Sequence, residues 1–224
     1  QPRENRLIFA GQVLHEGACG LMFSGNVRMR TIVSQGCRPI GESFVVTKAE
    51  GNLIQQLGGK PAKEVAFDML RRATPSDQEA VRRGLFVGRV IDEHQRSFAR
   101  GDFLIRNAIG FDQDSGAMAV DDMFRPGQTI QFHVRDAATA SRDLTDMLLA
   151  CDTSAARGAL LFTCNGRGTR LFNSRSHDAR AVADRCGGLP TAGFCCAGEF
   201  GPIGHRNYIH GYTASIGFFE PETD

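Results

Sequence analysis

The run Gly158-Ala-Leu-Leu-Phe-Thr-Cys-Asn-Gly-Arg-Gly168 constrains the fold more than any other stretch of this chain. Residues 159–162 are apolar and β-prone, and they stop abruptly in a polar turn holding Thr163, Cys164, Asn165, Gly166, Arg167 and Gly168. A buried strand that ends at a Gly-X-Gly loop delivers backbone N–H groups and a few polar side chains to one place, a common way of building small-molecule sites. Further on, Leu189-Pro-Thr-Ala-Gly-Phe-Cys-Cys-Ala-Gly-Glu-Phe-Gly201 makes the transition again in another form. Two strand-to-loop ends rich in Gly and Cys imply a shared rim.

Around these ends the chain reads as short strands with single helices between them. Strands are expected at 7–12, 19–23 and 27–33, the last alternating strictly and so solvated on one face. Residues 34–41 read as a turn-rich loop. Residues 44–48 and 52–57 form a hairpin across Ala49-Glu50-Gly51. Pro61 opens a helix to about Arg72, and 78–83 form a second short helix. Strands follow at 85–91, 103–109, 117–120 and 129–134. A helix capped by Ser141 spans 141–150, the strand 159–163 leads into the Gly loop, a helix follows at 176–185, and the last strands are 191–196 and 209–219. The expected class is α+β, with largely antiparallel, mixed β-sheets and a few flanking helices.

Several function classes are excluded by composition. The net charge is +1, giving no electrostatic case for nucleic acid or membrane binding. The Arg residues between 167 and 206 are interleaved with Asp178, Asp184 and Glu199, as on a solvated helix face. There is no apolar run long enough for a membrane span. The seven cysteines, an odd number in a chain of this size, fit free thiols in a reduced cytoplasmic protein. They form no Cys-x2-Cys pair and the histidines no His-x3-His pair, so no metal is expected. The Gly loop lacks the Gly-Lys-Ser/Thr ending of a phosphate loop and the third glycine of a dinucleotide fingerprint. No cofactor is expected. The start, Gln1-Pro-Arg-Glu-Asn-Arg, lacks a signal-peptide pattern and reads as a fragment or a cleaved product.

The site candidates follow from the two strand ends. Amides of 164–168 suit an anionic group, with Arg167 or Arg170 completing a carboxylate clamp. His177 and Asp178 open the next helix, where the dipole alone favours Asp178, and His177 is placed to turn back as a neutral hydrogen-bond partner. Gly198 and Glu199 lie in the second loop, where Glu199 would neutralise a ligand ammonium group or pair with an arginine. Arg38 is placed to reach a ligand or to pair with Glu42. Of Cys195 and Cys196, successive strand residues, at most one faces a pocket. A thiol nucleophile, Cys164 with His177 or His205 as base, is the alternative that these residues leave open.

Cys164-Asn-Gly-Arg-Gly168, His177-Asp178, Ala192-Gly-Phe and Ala197-Gly-Glu resemble the C-terminal half of the FIST sensory domain, the F-box and intracellular signal-transduction module. Val33-Ser-Gln-Gly-Cys-Arg-Pro-Ile-Gly41 resembles the segment closing its N-terminal half. The resemblance implies residues 1–40 as the end of the N-terminal domain and 41–224 as the C-terminal domain, most of the N-terminal half being absent. It also implies a bacterial module that senses a small polar ligand, an amino acid or carboxylate, and signals to a downstream protein, with no established catalysis. The ligand-binding set would be Cys164, Asn165, Gly166, Arg167, Gly168, His177, Gly198, Glu199 and Arg38. A Cys/His-dependent hydrolase or transferase, and a target-recruiting interaction module, are the alternatives.

Overall fold

The computed structural model describes residues 6–204 and 206–222. The expectations at Gln1–Asn5 and for His205 as a base lie outside them.

Strands β1 (Leu7–Phe9) and β2 (Gln12–Leu14) make a small hairpin, and residues 19–23 carry no strand. Strand β3 (Arg28–Ser34) leads through Gln35 and Gly36 directly into β4 (Cys37–Glu50). The loop expected at 34–41 is therefore mostly strand. Its turn-forming residues are absorbed by two glycines in left-handed backbone: Gly36 (φ 65°) makes the turn, and Gly41 (φ 64°) sits in a bulge where the register against the partner strand shifts.

Then come β5 (Leu53–Leu57), β6 (Lys60–Pro61), α1 (Ala62–Arg72) and α2 (Pro75–Arg83). Strands β7 (Phe86–Val90), β8 (Phe103–Phe111), β9 (Met118–Val120) and β10 (Thr129–Arg135) complete the first half of the fold. The order β4-β10-β7-β8-β9-β5 closes through a β4–β5 pairing into a six-stranded antiparallel barrel. Long β4 makes closure possible, because its first part pairs with β10 and its end with β5. Ile40, Val46, Ile54, Val87, Met118, Ile130 and Phe132 fill the interior, and Val65, Ala66 and Met69 of α1 pack into the same core.

The second half contains α3 (Ala137–Ala150), β11 (Gly158–Cys164), α4 (Gly168–Phe172), α5 (His177–Arg185), β12 (Thr191–Cys196), β13 (Glu199–Ile203), β14 (Arg206–His210) and β15 (Ala214–Glu220). A four-stranded sheet has the order β12-β11-β15-β3, in which only β11 and β12 run parallel. Leu144 and Leu148 of α3 and Val182 of α5 bury one face of it against Ile32, Leu161, Ile216 and Phe218. The class is α+β, as the strand pattern implied.

Two departures bear on the site. Helix α3 begins a turn earlier than expected, because Asp136 caps it by accepting from Thr139 N at 2.8 Å; this frees Ser141 for another contact. The single strand expected at 209–219 is broken between β14 and β15 by Tyr212, a non-glycine residue at φ 64°.

Sheet and barrel are tied at the β3–β4 junction. Gln35 donates from Nε2 to Phe103 O (2.7 Å) and accepts from Ile105 N (3.1 Å), clipping the junction to β8. Buried Asp143 of α3 accepts from Ser34 Oγ at 2.6 Å and Gly36 N at 3.0 Å.

Candidate functional site

Strand β11 ends at Cys164, and the chain turns at once: Arg167 N donates to Cys164 O at 2.8 Å, then α4 runs for five residues and stops at Asn173 in left-handed backbone. This short helix returns the chain so that α5 starts beside the end of β11. The consequence is a buried polar knot on the helix side of the sheet. Arg167 is fully buried and grips Asp178 at two points, Nε to Oδ2 at 2.7 Å and Nη2 to Oδ1 at 3.0 Å. Thr163 Oγ1 donates to Oδ2 at 2.5 Å, and His177 Nδ1 lies 3.0 Å from Oδ1. Because a carboxylate only accepts, His177 Nδ1 carries the proton toward Asp178, and Nε2 shares a hydrogen bond with Ser141 Oγ at 3.0 Å. The ring stacks on Phe172 with centroids 3.6 Å apart. Burial works to raise the Asp178 pKa, but the hydrogen bonds and charge of Arg167, with Thr163 and His177, hold it below the ordinary carboxylate range.

The opposite face of the same strand end holds a second cluster. Cys164 and Cys196 are register partners on parallel β11 and β12. Cys196 Sγ donates to Glu199 Oε1 at 3.5 Å, while Thr213 donates to Oε2 from Oγ1 (2.9 Å) and N (3.3 Å). Burial raises the Glu199 carboxyl above its usual value and, with Glu199 beside it, pushes the Cys196 thiol up to about 12. Both groups are thereby held toward their neutral forms.

Between the carboxyl ends of β11 and β12 and the start of α5 lies a cleft of about 280 Å³. Leu161, Gly193 and Phe194 give it apolar walls, and Thr163, Arg175, His177, Asp178, Thr191 and Cys195 line it with polar groups. Ser176 makes no side-chain cap, so the first-turn amides of α5 are not satisfied by it, and Ser176 to Ala179 line the same opening. Of the ligand-binding set expected from the sequence, Gly168 and His177 line the cleft. Arg167 lies behind its wall, bonded to Asp178, and Cys164 and Glu199 lie on the far face of the sheet. Asn165 and Gly198 are exposed in the two loops, and Gly166 packs under Tyr212. Arg38 is away from all of these, in β4, where it pairs with Asp77 (2.6 Å) and Asp136 (3.2 Å) rather than Glu42. Cys195 lines the cleft and Cys196 faces Glu199, as strand alternation requires.

A larger cavity, about 540 Å³, opens beside the barrel among Phe44, Leu57, Met69 and Thr74. Two of its rim carboxylates are engaged with other side chains, Asp68 with Arg71 and Asp77 with Arg38. The smaller cleft has the convergent polar groups and the parallel strand ends that a ligand site uses. Among the described residues no group of three or more His, Cys, Asp or Glu could hold a metal, and no helix is long and apolar enough to cross a membrane.

Sequence reasoning missed Arg175, Thr191 and Ser141 as neighbours of the cleft. Arg175 precedes the Ser176 helix start, the one available signal; Ser141 gave none, because only the tertiary fold brings α3 against α5.

Comparison with known proteins gives a consistent picture. The FIST C domain family model matches residues 66–202, and the FIST N domain family model matches residues 1–60. An uncharacterized protein of Mycobacterium tuberculosis is 44% identical over 222 residues, covering 96% of this chain and 57% of its own length. An uncharacterized protein of Mycobacterium bovis matches at 44% over 96% of this chain and 56% of its own length. The chain thus spans a little over half the length of these curated relatives.

Proposed function

The chain belongs to the FIST family of signal-transduction sensory domains, and from that premise we propose that it senses a small polar ligand, an amino acid or similar carboxylate, in the cleft at the start of α5. The observation that carries this reading is one cleft that gathers Arg175, Thr163, His177 and Thr191 at the start of α5, a helix with no side-chain cap. A ligand carboxylate meets the positive end of the helix dipole and Arg175. The Asp178 carboxylate is already filled by Arg167, Thr163 and His177, so an ammonium group would meet the hydroxyl of Thr191 along β12. Leu161 and the open strip at Gly193 take an apolar side chain. The buried Arg167–Asp178 pair fixes the wall, so that occupancy is transmitted to the Gly loop rather than absorbed by loose side chains. Passing that signal to a downstream protein is part of the same proposal.

Thiol catalysis finds less support. Cys164 Sγ accepts from Gly166 N at 3.4 Å on the face away from the cleft, and both nitrogens of His177 are engaged by Asp178 and Ser141.

The experiment is a thermal-shift and calorimetric screen of this chain against the amino acids and short carboxylates, with Arg175→Ala alongside. A binding compound whose affinity falls by roughly tenfold in Arg175→Ala, about the value of one charge-assisted hydrogen bond, upholds the reading. Binding that is indifferent to Arg175→Ala, or none across the panel, rejects this cleft as the site.

A further inference from the structure

The seam between barrel and sheet contains two arginines whose chemistry is incomplete. Arg167 is fully buried, and its Nη1 has no hydrogen-bond partner among the described residues. Arg135, at the end of β10, likewise buries an Nη1 with no partner. The two lie in the same neighbourhood. Arg167 Nη1 lies 2.9 Å from where a Cβ on Gly36 would stand. Gly36 precedes Cys37, and Cys37 is the register partner of Arg135. Arg135 Nη2 reaches Gly166 O, next to Arg167 in the chain, at 3.5 Å.

Their charges are unequally answered. Arg167 has Asp178, but no carboxylate among the described residues pairs with Arg135. Its guanidinium instead lies over the Tyr212 ring at 4.2 Å, with Phe86 behind at 5.9 Å. Tyr212 holds that place in a backbone conformation side-chain-bearing residues rarely adopt. Burial, and the nearby charge of Arg167, pull Arg135 below its ordinary pKa. Burial pushes Cys37, between them, up to about 12, so its thiol supplies no negative charge. Arg135 is part-buried, and burying its Nη1 with neither a hydrogen-bond partner nor a counter-charge carries a desolvation cost.

We propose that Arg135 and Arg167 together bind one small monovalent anion at this seam, through their two unpartnered Nη1 groups. The anion accepts from both guanidinium groups and supplies the charge that Arg135 lacks. Gly36 lets Arg167 Nη1 come this close to the β3–β4 turn: a Cβ there would also stand 2.8 Å from Ala140 Cβ. The site is independent of the cleft reading, since it is reached through Arg135 and Tyr212 rather than through Arg175. A halide and a formate- or acetate-sized carboxylate share the required chemistry.

The test is thermal unfolding at neutral pH and constant ionic strength, with gluconate as the bulky background anion replaced stepwise by chloride, bromide, formate or acetate. The wild-type chain should show a Tm rise that follows the logarithm of 1 + [anion]/Kd and reaches roughly 3–6 °C at a tenfold excess over Kd. Arg135→Met should abolish it, and Arg135→Lys should keep part of it. A response to halides alone assigns an inorganic anion and one to carboxylates alone an organic acid; either upholds the site. A rise linear in anion concentration, or one of equal size in Arg135→Met, is a general salt effect and overturns the proposal. No rise means that the Nη1 groups are met by water alone, and it also overturns the proposal. Should Arg135→Met not fold, wild-type crystals grown in bromide decide the matter: an anomalous peak within hydrogen-bond distance of both Nη1 atoms upholds the site, and its absence rejects it.

Discussion

Arg167 and Asp178 are locked in a two-point ion pair in which neither charge has access to solvent in any quantity: Arg167 is 0% and Asp178 4% exposed. All four acceptor directions of the carboxylate are used, by two Arg167 nitrogens, Thr163 and His177. Removing one partner leaves the other buried and unanswered. Asp178→Asn and Arg167→Met are each expected to destabilise the chain by about 3–5 kcal/mol in urea unfolding. The double variant Arg167→Met/Asp178→Leu should cost clearly less than the sum. A loss below about 1 kcal/mol in either single variant would show that water reaches the pair in solution.

Acid stability depends on the same residue. The folded-state pKa of Asp178 lies below its unfolded value, so its stabilisation is complete above the unfolded pKa of about 3.9 and is lost as pH falls through the folded value. Urea midpoints followed downward from pH 5 should therefore decline more steeply in the wild type than in Asp178→Asn. Parallel curves would remove Asp178 from the acid limb.

Glu199 acts with the opposite sign. Burial raises its folded pKa, so its contribution is complete below the unfolded pKa of about 4.3 and is lost as pH rises toward the folded value. Glu199→Gln keeps an oxygen for Thr213 and offers an amide to the thiol side. It is expected to match or exceed wild-type stability at pH 7–8 and to fall behind it near pH 4. A loss at pH 8 would mean that the ionised carboxylate is the form the fold uses.

These groups were only partly legible in the sequence. The Gly loop, the Asp178 helix start and the second loop at Glu199 all announce themselves through strand ends and caps, which are local signals. What they bond to is not local. Arg167 read as a ligand clamp because a Gly-flanked arginine after a strand is normally exposed, and only the return of α4 turns it inward. Arg38 read as a loop residue because Gly36 and Gly41 resemble turn formers, whereas ladder bonding to β10 makes the segment a strand. Barrel closure likewise rests on the two ends of β4 pairing with strands far apart in sequence, for which no periodicity speaks.

Gly193 sets the spacing of the cleft wall. It pairs with Leu161 across the parallel strands, and a Cβ there would stand 1.8 Å from Leu161 O. Gly193→Ala must push β12 away from β11. The expected result is a loss of more than about 2 kcal/mol, with cleft binding lost before global unfolding. Wild-type-like stability and ligand affinity together would mean that β12 shifts freely and that the cleft is not preformed.

Ser141, His177 and Asp178 form a hydrogen-bonded chain in the order of a nucleophilic triad, with both links at 3.0 Å. Chemistry of that kind also needs an exposed hydroxyl and free N–H donors at the oxyanion position. Ser141 lies inside α3, where backbone amides are committed to helix bonds, and it does not line the cleft. Its hydroxyl instead fixes the ring that Phe172 supports from one side. Ser141→Ala should therefore cost about 1 kcal/mol of stability and weaken cleft binding a few-fold, through a loosened His177. Ser141→Thr keeps the hydroxyl and should recover most of both. Turnover of a p-nitrophenyl ester by the wild-type chain that disappears in Ser141→Ala would identify the chain as a working nucleophile and replace the positioning role argued from its place in α3.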